Sequence, residues 1–269
     1  MKLPVETWGT GEVPALFLHG FTGGRGTWRH LEPLLGEVLT ATCVDLPGHG
    51  EAPVPEGTGT EAFLATVDAL AESIERPAVI VGYSQGARIA LALAARHPQC
   101  VDRLVLESGS PGLRRRHVRS QRRIADEALA ALIVEHGVEA FVDRWEANPL
   151  FDGLRSLPEP ERSALRARRS SNSAQGLAAA LRCLGQGAQP DYWPSLIKIL
   201  RPTLVLSGAL DTRYTRLARR MVVDLPMGWR RTFRGVGHAP HLECPTEYAQ
   251  ELSSFLAPAW RTEPSELVP

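Results

Sequence analysis

Ser84, Asp211 and His238 supply the residue types, in the chain order, from which a reactive oxygen can be made at neutral pH. A serine hydroxyl is a poor nucleophile or base alone, so an imidazole must take its proton. A carboxylate then fixes the imidazole tautomer and stabilises the imidazolium as it forms. The order Ser, Asp, His differs from that of both serine-protease families. Ser84 is the centre of Gly82-Tyr83-Ser84-Gln85-Gly86, Asp211 ends Ser207-Gly208-Ala209-Leu210-Asp211, and His238 lies in Gly235-Val236-Gly237-His238. Taken singly, Asp211 could equally cap a helix, and His238 could be a hydrogen-bonded loop histidine. His49 and His241 read as structural, and His19 as a brace for the turn after it.

The elements around Ser84 are what such chemistry needs. Ala78 to Val81 is an apolar run that predicts a buried strand, and Ala87 to Ala95 continues with helical spacing. Glycines at 82 and 86 let Ser84 occupy a tight, strained turn between strand and helix. The helix start aims its first amides at the hydroxyl. The backbone amides of Gln85 and of Phe21, after His19-Gly20, are the expected oxyanion hole. The polar Gln85 side chain is expected to be free to turn into the pocket.

Along the chain, strand patterns alternate with helical ones up to Leu106. Leu3 to Trp8 predicts an edge strand, and Ala15 to Leu18, Ala41 to Val44 and Leu104 to Leu106 predict buried ones. Thr27 to Leu35 has helical spacing, with Trp28, Leu31, Leu34 and Leu35 on one face. Thr60 to Ile74 carries an apolar stripe. From Ser110 to about Leu196 only helices are predicted: Gln121 to His136, Val138 to Glu146, Glu159 to Arg169 and Ala174 to Leu184. The sheet resumes at Pro202 to Leu206, with a helix around Leu217 to Leu225, a strand at Trp229 to Phe233 and a helix at Pro245 to Leu256. A loop spans Gly235 to His241, and 258–269 reads as a frayed tail. The pattern is α/β, a mostly parallel sheet with helices on both faces. Residues 1–109 and 197–269 form its core, and 110–196 an inserted helical lid.

With 30 basic and 30 acidic residues the formal net charge is +0, which points away from nucleic acid and from anionic membranes. Lysine occurs only at Lys2 and Lys198, so arginine clusters must first be discounted as a composition bias. The four cysteines have no metal-ligand or redox spacing. Met1 to Pro14 lacks the apolar core of a signal peptide, and no apolar run is long enough to span a bilayer. A reduced, cytoplasmic protein is expected, a monomer or small homo-oligomer without metal or cofactor.

Nearly the whole chain resembles the α/β-hydrolase fold enzymes of menaquinone biosynthesis, the 2-succinyl-6-hydroxy-2,4-cyclohexadiene-1-carboxylate synthases. His19-Gly20-Phe21, Asp45 to Gly50 and the three reactive residues are shared with many esterases and C–C hydrolases. More specific are Gly82-Tyr83-Ser84-x-Gly-x-Arg88, Glu107 to Leu113, Arg122 four residues before Asp126, Phe141-Val142-Asp143-x-Trp145 with Pro149-Leu150-Phe151, and Arg169-Ser170-x-Asn172. Departures are Gln85, Ala87 and Ser171. The resemblance implies a small substrate with three carboxylates, held by Arg88, Arg122 and Arg169, with Tyr83 and Trp145 lining the site. Guanidinium forks suit carboxylates bidentately. Arg88 is expected to point toward the pocket mouth, and Arg114 to Arg116, Arg119 and Arg166 to Arg168 to be solvated lid charge. Trp145 could equally be lid core.

The chemistry so implied is elimination of pyruvate through proton abstraction, a carbon–oxygen lyase reaction. Two alternatives stand beside it. One is a carboxylesterase or C–C bond hydrolase with Ser84 as acyl nucleophile. The other is a receptor-like protein that binds its ligand without turning it over.

Overall fold

The β-branched and apolar runs of the sequence pair into one seven-stranded sheet in a computed structural model that describes residues 3–257. The strands are β1 Val5–Trp8, β2 Val13–Leu18, β3 Leu39–Val44, β4 Ala78–Tyr83, β5 Val101–Glu107, β6 Thr203–Gly208 and β7 Gly228–Phe233. Their order across the sheet is β1-β3-β2-β4-β5-β6-β7, and only β1 is antiparallel to its neighbour. The sequence expectation of a mostly parallel α/β sheet therefore holds. β4 lies at its centre and all six of its residues are buried. Its side chains alternate between two cores: Ile80 packs with the helices on one face, Val79 and Val81 with those on the other. That is the period of two expected of a strand covered on both sides.

The helices are α1 Glu32–Leu35, α2 Gly59–Glu72, α3 Gln85–Arg96, α4 Arg116–Glu146, α5 Glu159–Ser170, α6 Ala174–Leu184, α7 Thr212–Asp224, α8 Pro240–Glu243 and α9 Pro245–Leu256. On α2 the stripe Phe63, Val67 and Leu70 is fully buried, at about 1.5–3 kcal/mol for each such side chain. α4, α5 and α6 lie between β5 and β6 in the chain. Among them Ala130, Ile133, Phe141 and Val142 of α4 pack with Leu177, Ala178 and Leu181 of α6 as a separate small core.

Several local expectations need correction. Residues 27–35 form a 3₁₀ turn, Arg25–Leu31, before the single turn of α1. The tighter winding rotates the apolar face, so Leu34 is 41% exposed while Trp28, Leu31 and Leu35 are buried. α7 begins at Thr212, earlier than the apolar spacing predicts, because Asp211 caps it. The loop at 235–241 ends in α8, which Pro240 opens. Two proline-bearing 3₁₀ segments, Pro149–Ser156 and Trp193–Lys198, carry no apolar period and escaped prediction. The two helices expected on either side of Gly137 are present, as the two arms of α4, which breaks at that residue, where φ is 81°. The tail predicted to fray, 258–269, lies outside the described residues. No helix among the described residues is long and apolar enough to cross a membrane.

Candidate active site

The turn from β4 into α3 holds Ser84 at φ 51° and ψ −102°, a conformation non-glycine residues rarely adopt. Such strain costs on the order of 1–3 kcal/mol and persists only where the surroundings over-determine it. Here the Ser84 N–H is tied to the Glu107 carbonyl at 2.8 Å. The flanking glycines allow the close approach: a Cβ on Gly82 would lie 2.5 Å from the Gly86 carbonyl oxygen, and one on Gly86 2.0 Å from that of Leu18.

The Ser84 hydroxyl is 3.1 Å from His238 Nε2, and His238 Nδ1 is 2.6 Å from Asp211 Oδ2. The imidazole and the carboxylate are both buried. Asp211 meets both readings of the sequence at once. Its Oδ2 faces the imidazole, while Oδ1 accepts the Tyr214 N–H at 3.1 Å and caps α7. With Nδ1–H donated to a carboxylate, Nε2 is left free to accept the serine proton.

The second wall is the turn of residues 20–23, closed by the Gly23 N–H to the Gly20 carbonyl at 3.0 Å. A Cβ built on Gly20 would lie 3.5 Å from that of Ser84, so this turn abuts the hydroxyl. Thr22 stands in it at φ 69°, a position glycine normally takes. His19 braces the turn from beneath: Nδ1 donates to the Gly20 carbonyl at 2.8 Å and Nε2 accepts the Leu46 N–H at 3.0 Å. Burial lowers its pKa to about 4, which keeps this acceptor neutral. Gln85 opens α3, so its amide is among the donors a helix start leaves unpaired. Its side chain does not turn into the pocket as expected. It donates to the Leu184 carbonyl at 3.3 Å, at the end of α6, and its Oε1 is buried without a partner.

Ser84, Tyr83, Phe21, Trp145 and Arg169 line one cavity together with Phe151, Leu165 and Leu242. Arg169 is buried, its guanidinium 5.3 Å from the centre of the Phe151 ring and 3.0 Å from Glu146 Oε1. Trp145 is both lid core and cavity wall, with ring centres 5.4 Å from Phe21, 5.5 Å from Phe141 and 5.3 Å from Phe151. Tyr83 lies beneath the imidazole, 5.4 Å from the His238 ring. Its hydroxyl pKa is raised well above 10 by burial first, so it stays neutral. Phe151, Leu165 and Arg169 also bound a second cavity of about 260 Å³ that adjoins the first.

Arg88 and Arg122 do not line the cavity holding Ser84, but Arg88 stands one turn past Ser84 on α3 and near Tyr214, whose ring is 4.8 Å from that of His238. Arg88 is half-buried, and its Nη1 is buried and has no hydrogen-bond partner. Burial lowers its pKa to about 10, with Tyr214, Arg122 and Asp126 near enough to act on it. Arg122 donates to Asp126 Oδ1 at 2.7 Å and to Gln186 Oε1 at 3.0 Å. Among the arginines read as solvated lid charge, Arg166 is partly exposed on the lid and faces Glu139, Asp143 and Glu146. Arg168 is half-buried, and that burial lowers its pKa.

Sequence reasoning missed Tyr214, whose ring is 4.8 Å from that of His238. It named Glu107 and Asn172 only within motifs and read His241 as structural, without foreseeing that Glu107 and His241 form a fully buried pair 2.7 Å apart or that Asn172 joins three loops. Nothing in the local spacing gives any of these its partner; only the fold brings them to the site.

A family model described as alpha/beta hydrolase family matches residues 15–251. A Bacillus subtilis (strain 168) relative that carries the provisional name 2-succinyl-6-hydroxy-2,4-cyclohexadiene-1-carboxylate synthase is 34% identical, over 89% of this chain and 88% of its own. A Salmonella arizonae protein named as that synthase is 31% identical over 90% of this chain and 92% of its own. The solved structure of MenH from S. aureus superposes with a TM-score of 0.87 at 30% identity, covering 94% of this chain and 97% of that one. The chain thus belongs to the alpha/beta hydrolase family of enzymes and, within it, to the 2-succinyl-6-hydroxy-2,4-cyclohexadiene-1-carboxylate synthases.

Proposed function

We propose that this enzyme eliminates pyruvate from 2-succinyl-5-enolpyruvyl-6-hydroxy-3-cyclohexene-1-carboxylate, using Ser84, His238 and Asp211 as its proton-transfer chain. The observation that carries the reading is the hydrogen-bonded line Asp211–His238–Ser84 opening onto a cavity that holds a buried guanidinium, Arg169. Glu146 occupies only Nη1 of that guanidinium, which leaves the rest of the fork for a ligand anion that a neutral ester lacks. A tricarboxylate supplies one, and a carboxylate leaving water needs a cation to meet it.

The substrate carries its succinyl group at C2, a C3=C4 double bond and the leaving oxygen at C5. Ser84 Oγ removes the C2 proton, which is acidified by the neighbouring ketone, while its own proton passes to His238 Nε2. Charge moves onto the ketone oxygen, where the Phe21 and Gln85 amides face it. The electrons return through C2=C3 and C4=C5, and the C5–O bond breaks. Enolpyruvate leaves, takes the proton back from His238 and becomes pyruvate. Every proton is returned, so no co-reactant is consumed, and no covalent bond to Ser84 forms.

Residues 110–196 act in this reading as a lid that brings Trp145 and Arg169 over the elbow. The space beside Ser84, about 40 Å³, is far below the several hundred Å³ of a pocket for a ligand this size. The tricarboxylate therefore enters by displacing the lid or by extending into the adjoining cavity past Phe151. The test is a coupled assay for pyruvate on the wild-type enzyme and on Ser84→Ala. Release by the wild type, lost in the variant, supports the reading; release by a folded Ser84→Ala enzyme at near-wild-type rate removes the serine from the mechanism.

A further inference from the structure

We propose that Asn172, in the joint between α5 and α6, is a positioning residue that sets the oxyanion turn at residues 20–23 from the lid side. The proposal rests on the reading of the Phe21 amide as an oxyanion donor.

Asn172 is 5% exposed and its amide is fully engaged. Nδ2 lies 3.1 Å from the Thr22 carbonyl, 3.2 Å from that of Arg168 and 3.1 Å from that of Arg169. Oδ1 accepts the Gly50 N–H at 3.0 Å. The orientation of this amide is forced, since the reverse would set its oxygen against three carbonyl oxygens. One side chain thus joins the end of the helix that carries Arg169, the turn at Gly50, and the carbonyl that follows Phe21.

The bond to Thr22 is the informative one. Thr22 is 1% exposed and holds φ 69° without being glycine. A strained residue of this kind relaxes unless outside contacts fix it. The Gly23–Gly20 bond holds the Thr22–Gly23 peptide by its N–H and joins it to the Gly20–Phe21 peptide, but does not hold its carbonyl side. Asn172 does. Without it the Thr22–Gly23 peptide keeps only its N–H anchor, and any tilt of that peptide passes through the Gly23–Gly20 bond to the Gly20–Phe21 peptide, which carries the Phe21 N–H. Ground-state binding through Arg169 also depends on this joint, but only the oxyanion contact strengthens as charge develops on the substrate.

The test uses phenylboronic acid on the full chain, because a boronate on Ser84 places an oxyanion in the hole whatever the natural substrate is. Asn172→Asp sets a carboxylate against the carbonyls, and Asn172→Ala removes all four contacts. Ser173→Ala is the control. It removes the side-chain cap of α6, where Ser173 Oγ accepts the Gly176 N–H at 2.9 Å, without touching Thr22. The expected result is boronate binding at least ~10-fold weaker in both Asn172 variants, since losing an oxyanion donor outright costs about 100- to 1,000-fold. Turnover of the tricarboxylate should fall in parallel, with KM changed less than kcat. Ser173→Ala should lose thermal stability yet bind boronate as the wild type does. Wild-type affinity in Asn172→Ala, or an equal loss in Ser173→Ala, overturns the proposal. A wild type that binds no boronate overturns the oxyanion reading and this proposal with it; a wild type that binds boronate yet makes no pyruvate overturns only the substrate assignment.

Discussion

His238 Nδ1 lies 2.6 Å from one carboxylate oxygen of Asp211, and the other oxygen is committed to the start of α7. The two duties separate by substitution. Asp211→Asn keeps an oxygen for the Tyr214 amide but presents N–H to the imidazole and imposes the wrong tautomer. Activity should fall by about 10⁴-fold with little change in melting temperature. Asp211→Ala should lose the cap as well, about 1 kcal/mol of stability. Steady-state rates and thermal melts on the two variants check this.

Arg88 holds a charge in the interior with one buried nitrogen unpartnered. Charges so placed are commonly kept at a cost in stability. Arg88→Met should therefore melt at or above the wild-type temperature; we propose that the unpartnered guanidinium, one turn past Ser84 and near Tyr214, meets a substrate carboxylate, so kcat/KM for the tricarboxylate should drop ~10- to 100-fold. A large fall in stability with unchanged kcat/KM would make Arg88 a structural residue.

Acid should unfold the protein through His19 and His49. Both are fully buried, and burial lowers their pKa from 6.5 to about 4 and about 3. Below pH 6.5 the unfolded chain binds protons at these sites and the folded one does not. Stability is thus full above that pH and declines as pH falls toward 4, on the order of 1.4 kcal/mol per unit for each histidine. Urea titrations between pH 7 and 4 measure the slope, which should flatten in His49→Gln.

Gln85 contributes its backbone rather than its side chain. The side chain makes one long bond to Leu184 and buries an unpaired oxygen. Gln85→Met should leave turnover within a few-fold of wild type and leave stability equal or higher. A loss of turnover beyond 100-fold would show that the side-chain amide takes part.

How much of this was legible in the sequence follows from how local each signal is. The elbow at Ser84, the loop ends at Asp211 and His238, and the strand–helix alternation are set by near neighbours, so they could be read directly. Glycine at 137 marked the break in α4 for the same reason. The 3₁₀ segments were hidden because a three-residue period over a few proline-bearing residues leaves no stripe. Side-chain destinations were hidden too. That Arg169 joins Trp145 in the cavity while Arg88 lies near Tyr214, Arg122 and Asp126, or that Asn172 meets Thr22 from 150 positions away, depends on tertiary packing alone.

Pyruvate formation measured alongside any covalent Ser84 adduct tests the central claim most directly. With the enolpyruvyl tricarboxylate as substrate, pyruvate should appear in step with the cyclohexadiene product. Intact-protein mass spectrometry during turnover should show the unmodified chain, and nitrophenyl esters should be poor substrates. No pyruvate from the tricarboxylate, together with a burst of nitrophenol and an acylated Ser84, would contradict the account and make this enzyme an esterase.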